Sequence, residues 1–161
     1  MYTQTDDRVS IYRSVEDKNT GEIDSFNVMR KWGCLYASLL YLIERETNKE
    51  FSASQVKLLF DYLTSIDVIR KDMYVKNHEM VLYNACRILG YEPYKIKYIA
   101  KVDYENDEET WGDMKDYTSK LREVRVDKNT VHFFHKDFNP YPGLTGNIIS
   151  KRYYSIIIDK N

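Results

Sequence analysis

The apolar positions change their rhythm partway along the chain. In LYASLLYLI (35–43), Leu35, Leu39, Leu42 and Ile43 fall at i, i+4, i+7 and i+8, one stripe of an α-helix, and the preceding Gly33 permits an abrupt entry that a side chain would obstruct. Ser52-Ala53-Ser54-Gln55 has the form of a capping box, in which the Ser52 hydroxyl takes the Gln55 amide and Gln55 reaches back. Val56, Leu59, Phe60 and Leu63 then form the stripe of a second helix. A third helix is expected from Asn77 as N-cap to Leu89, with Gly90 as its stop. After Pro93 the period shortens to two. YKIKYIAKV alternates like a strand, VHFF (131–134) is a short apolar strand, a tight turn falls near His135–Asp137, and KRYYSIIID (151–159) makes a last strand.

The first 30 residues are polar and weakly patterned, and read as irregular chain with one short extended piece near Val9–Arg13. Residues 103–113 read as an acidic, solvated loop. Helices first and strands second is the α+β pattern, in one domain over 1–161 with a polar segment at 1–26 and a core at 27–158.

Composition narrows the choice of function. A chain of 161 residues that is 43% hydrophobic and 30% charged can bury a core and is not of the disordered class. Lys and Arg (24) balance Asp and Glu (25) without a basic block, which argues against a general electrostatic grip on nucleic acid. The start lacks a charged-then-apolar signal, and no apolar run approaches the ~18–20 residues that cross a bilayer, so a cytoplasmic protein without a membrane span is expected. Two cysteines, Cys34 and Cys86, are too few for a disulfide framework or a cysteine-based zinc site; no metal or cofactor is expected.

Gly33-Cys34 at a helix start is where chemistry can begin. A thiol there meets unpaired backbone amides and the positive end of the helix, both of which favour the nucleophilic thiolate, and the Cys34 amide can donate to an oxyanion. Cys86 lies inside the third helix and reads as core. Of the histidines, His78 in the first turn of that helix reads as surface or capping, and His135 as an exposed turn residue. His132 sits on a short apolar strand, the kind of rigid support a general base needs. If the turn is a two-residue loop at His135-Lys136, His132 faces Asn139 across the hairpin, near enough for an imidazole–amide bond; a three-residue loop puts Pro140 there instead. Asp137 is the substitute partner.

With KWGCLYASLLYL, VHFF, FNPYPG and NIISKRYY in this order, the chain resembles papain-like cysteine peptidases over about residues 27–158. Within that superfamily it is most similar to the bacteriocin-processing branch and to uncharacterised proteins of spirochaete plasmids and prophages. The resemblance implies a papain-like α+β fold, with the cysteine on the first long helix packed against a C-terminal antiparallel sheet. It also implies Cys34 as nucleophile, His132 as base and Asn139 as the orienting group. Papain-like enzymes place an oxyanion glutamine shortly before the nucleophile; that position is Val28 here, and the adjacent Asn27 is the substitute.

The expected activity is therefore hydrolysis of an amide bond in a peptide or protein substrate, cell-wall peptide included. Acyl transfer to an amine uses the same residues. The alternative is a binding or host-interaction protein that keeps the scaffold without catalysis.

Overall fold

The chain begins with more order than its polar composition suggests. In the computed structural model, which describes residues 1–103 and 116–159, a 3-10 turn (Asp7–Val9) leads into a hairpin of β1 (Tyr12–Glu16) and β2 (Ile23–Asn27), with Arg13 opposite Phe26. The turn between them is closed by the Asp17 carboxylate, which accepts the Asn19 amide at 2.7 Å, and by Gly21 at φ +74°, a left-handed conformation that suits glycine. The expectation of irregular chain over the first 30 residues with an extended piece near Val9–Arg13 is thus corrected. Both strands are largely exposed, so no alternation of apolar residues marks them.

Asn27 ends β2 and opens a short helix, α1 (Val28–Trp32), by accepting the Arg30 amide. Gly33 separates it from α2 (Cys34–Thr47). A Cβ at Gly33 would come within 2.6 Å of Met29 Sδ and closer still to the Met29 carbonyl oxygen, so the two helices meet only because this side chain is absent. The next two helices follow their polar caps. α3 (Ala53–Ser65) has the full Ser52–Gln55 capping box, and α4 (His78–Ile88) is capped by Asn77 and followed by Gly90 at φ +90°. In α2, Tyr36, Ala37, Leu39, Leu40, Leu42 and Ile43 are all fully buried, a wider face than the one stripe read from sequence. The helix is covered on two sides, by α4 and by the sheet. Each such Leu or Ile stabilises the fold by roughly 1.5–3 kcal/mol.

The sheet consists of β3 (Pro93–Asp103), β4 (Ser119–Arg125), β5 (Val131–Phe134) and β6 (Asn147–Ile158), in spatial order β3-β6-β4-β5 and antiparallel throughout. The architecture is α+β. β4 is absent from the sequence reading because its inward positions include Ser119 and Glu123 beside Leu121, which blurs the alternation. β5 lies at the sheet edge, with Val124 opposite His132, and is tied to α2 by the Ser38 hydroxyl donating to the Phe133 carbonyl at 3.3 Å. The acidic stretch read as a loop lies outside the described residues from 104 onward.

Candidate active site

Cys34 opens α2 at the wall of an open cleft of about 1090 Å³, and His132, Phe133, Asn27, Gln4, His78 and Glu123 line the same cleft. β5 carries the imidazole there: the strand packs on the first turns of α2, and His132 points inward, 1% exposed. Its Nε2 lies 2.6 Å from Asn139 Oδ1. The orientation of that amide is set by two other bonds. Asn139 Nδ2 donates to the Leu144 carbonyl at 2.8 Å, and Oδ1 also accepts the Tyr141 amide at 3.1 Å. An oxygen can only accept, so the His132 proton sits on Nε2 and the lone pair on Nδ1, which has no hydrogen-bond partner among the described residues. This is the tautomer in which an imidazole can take a proton through Nδ1.

The route to this contact differs from the one expected. The hairpin closes with His135 paired to Phe138 through reciprocal backbone bonds of 3.0 and 3.1 Å, so the two loop residues are Lys136 and Asp137. In that register Asn139 is not opposite His132. It reaches the ring because the chain turns after Phe138, with the Asn139 side chain holding the turn. Asp137 is directed elsewhere, to Arg45 at 3.2 Å.

Electrostatics favour neutral groups. Burial pushes the Cys34 thiol up, and the nearby Glu123 charge adds to this; the backbone amides of Phe133, Leu35 and Cys34 itself pull the other way without cancelling it. The thiolate expected from the helix terminus is therefore corrected to a thiol at rest. Burial also lowers the His132 pKa, partly opposed by its bond to Asn139. A resting pair of thiol and neutral imidazole follows.

Three other polar residues differ from their sequence reading. Asn27 lines the cleft, but its side chain is engaged in local structure: Oδ1 accepts the amides of Ile11 (3.2 Å) and Arg30 (3.1 Å), and Nδ2 donates to Ser10 Oγ at 3.0 Å. His78 is a cleft residue rather than a surface one, with Nδ1 2.7 Å from the Tyr154 hydroxyl and its ring 4.5 Å from that of Tyr98; burial, with Arg152 nearby, lowers its pKa to about 4. His135 is buried against Tyr41 and Arg45 rather than exposed, and burial with the Arg45 charge lowers it to about 4 as well.

Two features have no signal in the sequence. Gln4, 2% exposed in the cleft wall, donates through Nε2 to the Arg30 carbonyl at 2.7 Å and leaves Oε1 without a partner among the described residues. Its backbone amide donates to the Pro140 carbonyl at 2.8 Å, which links the first residues to the turn that holds Asn139. Also lining the cleft, Glu123 accepts from Ser150 at 2.6 Å and from Arg152 at 3.0 Å, a buried polar set on β4 and β6. Among the described residues, no three His, Cys, Asp or Glu side chains gather as metal ligands, and no helix is long and apolar enough to cross a membrane.

A family model described as "Protein of unknown function, DUF261" matches residues 16–141, a span that includes Cys34, His132 and Asn139. No curated protein and no solved structure matches the chain.

Proposed function

The chain belongs to the DUF261 family of proteins of unknown function, and we propose that this member is a papain-like cysteine hydrolase acting on an amide or peptide bond, with Cys34 as nucleophile, His132 as base and Asn139 as the group that orients the base. One observation carries the reading: Asn139 occupies His132 Nε2 and leaves Nδ1 as a bare lone pair, in the cleft that Cys34 lines.

With both groups neutral at rest, the thiol proton passes to His132 Nδ1 as sulfur bonds to the carbonyl carbon of the substrate. The carbonyl oxygen takes the negative charge, and the Cys34 amide at the start of α2 would donate to it. The C–N bond then breaks, and the imidazolium gives its proton to the departing amine. Water attacks the acyl-enzyme, returns a proton to His132 and releases the acid as the thiol re-forms. Asn27 Nδ2 gives one of its two protons to Ser10 Oγ, and the other would serve as the substitute oxyanion donor.

A second reading, a binding protein on the same scaffold, is favoured by the raised Cys34 pKa. The two separate on the pH dependence of Cys34 alkylation by iodoacetamide, read by mass spectrometry in the wild type and in His132→Ala. A working base speeds alkylation near neutral pH, and its removal slows it. A profile untouched by His132→Ala means that the pair does not function as one, and the binding protein becomes the reading to keep.

A further inference from the structure

The whole chain is close to electrically balanced, with 24 Lys and Arg against 25 Asp and Glu, yet one lip of the Cys34 cleft is not. The cleft-lining cations Arg70 and Arg152 are neutralised by Asp72 and Glu123. Arg13 on β1 and Arg30 and Lys31 on α1 line it too; none of the three has a carboxylate within ion-pair distance among the described residues, although Asp72 lies near enough to Arg13 to feel its charge. Their positions are built in. Gly33 fixes α1 against the start of α2, so Arg30 and Lys31 stand one turn before Cys34. The Lys31 ammonium lies over the rings of Phe26 (5.3 Å) and Trp32 (5.2 Å), and the Arg30 guanidinium donates to the Thr5 carbonyl at 3.3 Å, which leaves most of its N–H groups for other partners.

We propose that this cleft takes an acidic peptide segment, its carboxylates held by Arg13, Arg30 and Lys31; the inference names a ligand class for the cleft and rests on the peptide-directed reading above. The cation excess gives this lip of the cleft a local positive charge that favours a ligand carrying carboxylates. The choice of a peptide over a nucleic acid strand follows from the amide-bond chemistry proposed for Cys34.

The test uses the full-length Cys34→Ala chain, so that binding is read without turnover. Two fluorescein-labelled octapeptides, alternating Ala with Glu or Ala with Gln, are titrated by fluorescence anisotropy, together with a single-stranded oligothymidylate. The Glu peptide should bind about tenfold or more tighter than the Gln peptide at low salt. The preference should shrink between about 0.05 M and about 0.5 M NaCl. Replacing Arg13, Arg30 and Lys31 together with Gln should abolish it, with circular dichroism confirming that the fold persists. Equal affinity for the two peptides, no binding by either, a preference that survives in the triple variant, or tighter binding of the oligothymidylate each overturns the inference. Failure here leaves the hydrolase reading standing, because that reading is decided by the alkylation of Cys34 with and without His132. A Glu peptide that binds with this preference, while His132→Ala leaves Cys34 alkylation untouched, does the reverse.

Discussion

Acidification should remove stability that His78 contributes as a neutral ring. In the folded chain this imidazole protonates only near about 4, whereas its ordinary value, which the unfolded chain adopts, is 6.5. Above the unfolded value neither state binds the proton and the contribution is flat. As the pH falls below 6.5 the unfolded chain takes up a proton that the native one refuses, and stability declines until the folded value is passed. One pKa unit is about 1.4 kcal/mol, so the loss from His78 alone comes to about 2 kcal/mol between about pH 7 and about pH 5 and about 3 kcal/mol when complete. His135 and His132 act in the same direction.

Other groups titrating with the histidines do not confuse the comparison. Asp6, Asp72 and Asp127, held low by their hydrogen bonds, add a loss only below their ordinary value of 3.8. Glu44, pushed up by burial, has the opposite sign and is common to both proteins. The measurement is urea unfolding of the wild type and His78→Gln at the two pH values. Glutamine keeps a polar group beside Tyr154 and removes the titration. The wild type should lose about 2 kcal/mol more than the variant over this interval. Equal losses would mean that His78 is solvated and ordinary, and that the packing of the cleft floor described here is wrong.

Three further outcomes are expected. Gly33→Ala should cost about 1–3 kcal/mol in chemical denaturation, since the added carbon meets Met29 Sδ at 2.6 Å; wild-type stability would contradict the close junction of α1 and α2. Asn139→Ala strips partners from His132 Nε2, the Tyr141 amide and the Leu144 carbonyl, so it should lower stability by about 1–3 kcal/mol. It should also slow Cys34 alkylation towards the His132→Ala rate, whereas an unaltered rate would deny Asn139 its orienting role. Cys34, half-buried, should be alkylated before Cys86, which is fully buried and whose thiol burial raises to about 11; the reverse order on mass spectrometry would refute this.

The parts of the fold legible in sequence are those written in local chemistry. Ser52–Gln55 and Asn77–Gly90 mark helix ends because a cap needs a particular side chain at a particular place, and each is found there. β1 and β2 escape notice because a mostly solvated hairpin needs no apolar alternation, and β4 because Glu123 is buried through its partners Ser150 and Arg152, which lie far along the chain. The same limit governs the site. Cys34 and His132 announce themselves by residue type and support, but Gln4 sits in a polar stretch with nothing to distinguish it, and its place in the cleft depends on a backbone bond to Pro140. His78 reads from sequence as surface or capping and His135 as exposed, because burial by Tyr98 and Tyr154, or by Tyr41 and Arg45, is a tertiary fact.

The link between α2 and β5 also bears on how the protein is made. Ser38 and Phe133, which join the two elements, are 95 positions apart in the chain, and the turn bearing Asn139 is fastened to Gln4. During synthesis the helix carrying Cys34 leaves the ribosome long before the strand carrying His132 exists, and closing so wide a loop is among the slower events of folding. A nascent chain therefore holds Cys34 without His132. The cleft that the two residues line is complete only after the strands that follow residue 119 have been translated and docked.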